Sequence, residues 1–170
     1  MTRFSLTHHT ALRDSQTPLA APLRRIAYPA RLSEYSDGAL GWAIQITKGS
    51  DADLLIIHVL PPPTPLFETE PLEKQETEIA LSRLVAQVNA MGVRATGSLL
   101  SGKDSVGKQI VRAASLEKID LLVIGSRERR RAFRLFIGSS VACNVVAHAH
   151  CPVLVIPYNP VKTVRPALHS

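Results

Sequence analysis

The chain alternates short strand-like apolar runs with longer stretches in which apolar residues return every three or four positions. The short runs are RIAYPA, ADLLIIHVL, VRATGSLL, IDLLVIG and CPVLVIP, at 25–30, 52–60, 93–100, 119–125 and 151–157. Continuous aliphatic and β-branched runs of this length suit strands of a parallel sheet, buried on both faces. Between them, Leu40, Ala43, Ile44 and Thr47 share a helical face, as do Leu81, Leu84, Val85, Val88 and Met91, and Val106, Ile110, Ala113 and Ala114. That spacing predicts three amphipathic helices. A fourth is expected from about Gly138 to His148.

Breakers divide these elements. The run PPPTP at 61–65 excludes regular structure, Gly92 closes the second helix, and Gly102 permits a tight turn into the third. Five strands alternating with four helices predict a single α/β domain of three layers, a five-stranded parallel sheet with helices on both faces. The domain is expected to span 24–158. Residues 1–23, polar and without a sustained period, are expected to form a flexible arm, and 159–170 a C-terminal tail. Sheets of this kind take ligands beyond the carboxyl ends of their strands, where the strand order reverses. The loops after the first and fourth strands are therefore the places to look for chemistry.

The fourth loop is GSRERRRAFRLFIGSS, Gly125 to Ser140. A strand delivering Gly125 to a turn, and Gly138 opening a helix, are features a phosphate needs. Glycine lets backbone N–H groups approach closely, and the first helical turn offers unpaired donors at the positive end of its dipole. Ser139 and Ser140 add hydroxyls. The same residues serve equally well to end a strand and cap a helix.

Charge sharpens the picture at this loop. The formal net charge is +6, and much of it is local: Arg127, Arg129, Arg130, Arg131 and Arg134 surround a single acid, Glu128. With 5% aromatics, and no helix-turn-helix or zinc-finger pattern, sequence-specific nucleic-acid binding is not expected. No apolar run approaches the roughly 20 residues of a membrane span, and the N-terminal stretch lacks the apolar core of a secretory signal. Two cysteines, Cys143 and Cys151, suggest no disulfide scaffold, so a reducing cytoplasm is the expected location. His148, His150, Cys143 and Cys151 lack the paired spacing of zinc modules, and histidines at a helix end suit its negative pole.

Several of these segments together resemble the universal stress protein family: IAYPARLSE at the first strand, IIHVLPP at the second, IDLLVIGSR at the fourth, and GSS followed by VACNVVAHAHCPVLVIP. The resemblance covers about Arg25 to Pro157. It implies sheet order 3-2-1-4-5 and a homodimer through the last strand, here Pro152–Pro157. It also implies a nucleotide site for ATP or another adenine nucleotide with Mg, of the form G-x2-G-x9-G-[ST], with an aspartate just after the first strand. Carried over residue by residue, the site comprises Pro29, Ala30, Arg31, Val59, Gly125, Arg127, Gly138, Ser139 and Ser140. Two landmarks depart from the pattern, since Glu128 stands at the middle glycine and Arg31 at the aspartate.

These departures are expected to weaken or alter ATP binding. A carboxylate about 4 Å from a phosphate adds repulsion on the order of 1–4 kcal/mol, whereas each arginine reaching a phosphate contributes about 1.5–3 kcal/mol. The alternative is a nucleotide-independent dimeric adaptor whose arginine loop docks acidic protein partners or polyanions. Hydrolysis needs a positioned water and a base, and Glu128 is the sole local candidate. A binding protein is therefore expected rather than an enzyme, with weak ATP hydrolysis left open.

Overall fold

The computed structural model describes residues 21–32, 38–60, 71–126 and 141–157. Within them the chain forms β1 (Arg25–Pro29), α1 (Gly38–Ser50), β2 (Asp53–Val59), α2 (Pro71–Ala90), β3 (Arg94–Leu100), α3 (Val106–Leu116), β4 (Leu121–Ser126), α4 (Val141–His148) and β5 (Val153–Pro157). The five strands make one parallel sheet in the order β3-β2-β1-β4-β5. Residues 1–20, assigned above to the arm, the proline run at 61–65 and the tail lie outside the described residues.

Alternation along each strand divides the apolar residues between the two faces of the sheet. Ile26, Tyr28, Leu54, Ile56 and Val123 face one way, against Ala39 and Ala43 of α1 and Leu81, Leu84 and Val88 of α2. Ala27, Leu55, Ile57, Leu122 and Ile124 face the other way, against Ile110, Ala113 and Ala114 of α3 and Ala142 and Val145 of α4. The result is the expected three-layer domain. Leu23, the last apolar residue assigned to the arm, packs against the first of these cores.

Met91 departs from the helical spacing that grouped it with Val88. The helix α2 ends at Ala90, and Met91 is exposed. Its N–H bonds to the Val88 carbonyl and that of Gly92 to the Asn89 carbonyl, at 3.0 and 2.9 Å. The final turn thus tightens to three-residue closure, which rotates Met91 off the buried face. Gly92 then takes φ +80°, a left-handed position that glycine adopts without strain. Asn89 fastens the turn from the side: its Nδ2 donates to the Ala95 carbonyl and its Oδ1 accepts from the Ala95 N–H, at 3.1 and 2.8 Å.

Charged groups gather at the amino-terminal end of the sheet and satisfy one another. Asp120 Oδ2 accepts from the backbone N–H groups of Arg24 and Arg25, both at 2.8 Å. The Arg25 guanidinium meets the Glu117 carboxylate at 3.0 Å. Arg94 bridges Asp53 and Asp51 at 2.7 and 2.8 Å, and these two hydrogen-bonded carboxylates raise its pKa above the ordinary guanidinium value.

Two glycines show how tightly the helices are set. A Cβ on Gly107 of α3 would lie 2.5 Å from Asn144 Oδ1 and 2.9 Å from Asn144 Cβ, so α3 and α4 meet only because Gly107 has no side chain. Gly41, inside α1, has nothing within 4 Å of such an atom. Gly107→Ala is expected to lower unfolding free energy by about 1–3 kcal/mol through overpacking. Gly41→Ala should raise it by about 0.5–1 kcal/mol by relieving the helical cost of glycine. Urea denaturation of both variants checks the contrast, and equal effects would contradict the packing account.

Candidate nucleotide site

The sheet splits at its carboxyl end. The ladder between β1 and β4 pairs Ile26 with Leu121 and Ala27 with Leu122 and stops there. Beyond that point β1 stays with β2 as far as Pro29↔Ile57, while β4 stays with β5 as far as Ser126↔Pro157. The two halves part where the chain order reverses, and a crevice opens between them.

That crevice is a pocket of about 220 Å³ lined by Pro29, Ala30, Arg31, Ile57, His58, Val59, Val106, Ile110, Ile124, Gly125 and Val141. Five of the nine residues assigned from the sequence, Pro29, Ala30, Arg31, Val59 and Gly125, therefore come together around one cavity. They arrive from three strands, separated by up to ninety-six positions in the chain (125 minus 29). The other four, Arg127, Gly138, Ser139 and Ser140, lie outside the described residues, as does Glu128.

Gly125 does not end its strand, because β4 continues through it to Ser126. It therefore forms part of the pocket wall, pairing with Ile156 on its outer side.

The wall itself was not assigned from the sequence. Ile57, Ile124, Val106, Ile110 and Val141 make an apolar surface extending from the second strand to the start of α4. Their spacing marks them as interior residues, and the parting of β1 from β4 is what places them beside a cavity. His58 was also missed. Its Nδ1 lies 2.9 Å from the Ala30 carbonyl oxygen, so Nδ1 carries the hydrogen and donates it. Ala30 N–H in turn donates to the Ile57 carbonyl at 2.7 Å. The segment just after β1 is thus tied to β2 through both its amide and its carbonyl, and this fixes where Arg31 leaves the sheet.

Electrostatically the two ends of the sheet are unlike. Arg31 is exposed, and it makes no hydrogen bond or ion pair with any described residue. No carboxylate stands among the described lining residues. Among the described residues the pocket thus joins an apolar wall to a cation without an ion-pair partner, an arrangement suited to a flat apolar group that carries negative charge.

The nearby sulfur and imidazole groups are not arranged as a metal centre. No group of three or more His, Cys, Asp or Glu residues that could hold a metal ion occurs among the described residues. His148 Nδ1 lies 2.9 Å from the Asn144 carbonyl, one turn back along α4. Burial pushes the Cys151 thiol above its ordinary pKa. No helix among the described residues is long and apolar enough to cross a membrane.

The universal stress protein family model matches residues 22–157, and the chain belongs to that family. It is 32% identical over 141 residues to a universal stress protein of Methanocaldococcus jannaschii, covering 78% of this chain and 81% of that one. Among solved structures, a universal stress protein in complex with cAMP superposes with a TM-score of 0.64 at 23% identity, over 82% of this chain and 100% of that chain. The universal stress protein from Archaeoglobus fulgidus in complex with dAMP superposes at 0.60 with 22% identity, over 79% and 97%. At these identities the superpositions establish the shared fold.

The tie between His58 and Ala30 has a measurable consequence. His58→Ala is expected to cost about 0.5–1.5 kcal/mol, the net worth of one such bond, and to speed hydrogen exchange at the Ala30 and Arg31 amides. Exchange-detected NMR reads the second effect, and unchanged protection at both amides would show that the imidazole does not hold this segment.

Proposed function

We propose that this protein is an adenine-nucleotide-binding member of its family, with a site altered from the ATP-binding pattern by Arg31 and Glu128. The observation that carries this reading is the convergence of Pro29, Ala30, Arg31, Val59 and Gly125 on one apolar pocket at the switch point of the sheet. The fold neighbours solved with cAMP and dAMP support the ligand class. The apolar wall offers stacking and burial to a purine. Gly138, Ser139 and Ser140, immediately ahead of α4 in the chain, supply the residue types for phosphate contacts through backbone N–H groups, hydroxyls and the positive helix end. A nucleotide brought there with Mg would have its phosphate charge partly neutralised before Glu128 repels it. Binding and release, rather than hydrolysis, is the proposed activity, since hydrolysis needs a positioned water and a base and the loop sequence offers Glu128 as its sole candidate.

The measurement is calorimetric titration of nucleotide-free protein with Mg-ATP and with AMP, after mass spectrometry of whatever the protein carries through purification. Gly138→Asp should abolish adenine-nucleotide binding. Glu128→Gly should tighten ATP binding by roughly ten-fold or more, as removal of a repulsion of 1–4 kcal/mol requires. No binding by the unaltered protein, with salt-sensitive association to a polyanion instead, would favour the adaptor reading, which the arginine cluster between Ser126 and Arg134 supports.

A homodimer through β5 belongs to the same proposal. Among the described residues the strand β5 has β4 as its one partner and stands at the edge of the sheet. Its residues are apolar, and Val155 stays exposed, as does Val146 on α4. An apolar edge favours pairing with another strand, and a second copy of the same edge is the partner proposed here. Sedimentation velocity should give a dimer for the unaltered chain and a monomer for Val155→Glu, whose carboxylates would be brought close to one another at a two-fold interface. A monomer in both cases would remove the dimer from the proposal.

A further inference from the structure

We infer that Arg31 makes the pocket selective for a nucleotide bearing a phosphate on its ribose, at the 2′ or 3′ position, in addition to the phosphate at 5′. This rests on the nucleotide reading above and specifies the ligand within it. The pocket has two ends. Gly125 and Val141 mark the end beside β4 and α4, and Arg31, His58 and Val59 mark the end beside β1 and β2. Ile57, Val106, Ile110 and Ile124 supply the apolar wall of the same pocket. A nucleotide held by its 5′-phosphate near the start of α4 presents its nucleoside to that wall, and the sugar edge to Arg31.

The chemistry at the second end then discriminates among ligands. A bare ribose offers two hydroxyls, whose hydrogens are best received by a carboxylate, and the described lining residues include none. Arginine has five N–H donors and no acceptor. Its planar fork matches phosphate in a bidentate manner, which a neutral diol does not reward. Dinucleotide-binding folds show the same division, with an acid selecting the free hydroxyl and an arginine accommodating the phosphorylated one. Arg31 is also unengaged, for it makes no ion pair with any described residue, whereas the Arg25 and Arg94 guanidinium groups at the opposite end of the sheet are bound to carboxylates. The pinned Ala30 amide and carbonyl hold the base of the Arg31 side chain in place, so part of the ordering cost of binding is already met by the fold.

The test is a set of calorimetric titrations of the full chain with AMP, adenosine 3′,5′-bisphosphate and adenosine 2′,5′-bisphosphate, with the ratio of dissociation constants as the quantity read. The expected result is that one bisphosphate binds at least ten-fold more tightly than AMP, and which of the two does so identifies the position recognised. Arg31→Gln should bring the ratio close to one, and Arg31→Asp should invert it in favour of AMP. Since Arg31 is exposed and pairs with no described residue, both variants are expected to fold, and circular dichroism verifies this. Equal affinity for AMP and both bisphosphates, or a preference that survives Arg31→Gln, overturns the inference and leaves the nucleotide reading standing. Failure of all three ligands to bind overturns both.

Discussion

The parting of β1 from β4 governs the carboxyl end of this structure. A parallel sheet gains most when every ladder runs the full length of its strands, yet here the central ladder stops after Ala27↔Leu122 while its neighbours on each side continue. The topology explains the interruption. From β1 the chain departs toward β2 on one side, and it returns to β4 on the other, so the loops at this junction diverge and nothing draws the two strand ends together. Each half of the sheet keeps its own pairing, and the space between them becomes the pocket. The wall residues are core residues of the α3 and α4 face that the split leaves beside a void.

Hydrogen bonds of long sequence separation secure local order at both ends of the sheet, beside the split and at the amino-terminal pole. His58 holds the Ala30 carbonyl across twenty-eight residues, and Asp120 holds the Arg24 and Arg25 amides across more than ninety. Gln109, buried in α3, performs a similar service for the loop entering that helix, donating to the Asp104 carbonyl at 2.8 Å. Such contacts leave few backbone groups unpaired where the chain turns, and unpaired buried groups are the costly alternative.

Much of this architecture was legible in the sequence, for identifiable reasons. ADLLIIHVL and IDLLVIG can be little else than strands buried on both faces, and the glycine at 92 does close its helix. Met91 was misread because helical spacing continues through it, whereas the tightened turn depends on closure to Val88 and on the Asn89 clamp to β3. The pocket was legible at Pro29, Ala30, Arg31, Val59 and Gly125, since the family resemblance carries over to those positions. The wall of Ile57, Val106, Ile110, Ile124 and Val141 was not. Whether Val106 or Ile124 borders a void or another side chain depends on how far two non-sequential strands stay paired, and no periodicity within either segment carries that information. His58 was missed for a related reason, its partner being a carbonyl on another strand.

The ion pairs of Arg25 and Arg94 and the paired amides at Asp120 all lie at the amino-terminal end of the sheet, and the pocket lies at the other. Contributions from sites that share no partners are close to additive. The residues that keep the sheet together and the residues that line the pocket can therefore diverge in evolution on separate schedules. A lineage can exchange an aspartate for an arginine after β1, or a glycine for a glutamate after β4, and explore new ligands from a scaffold whose integrity is settled at the far pole.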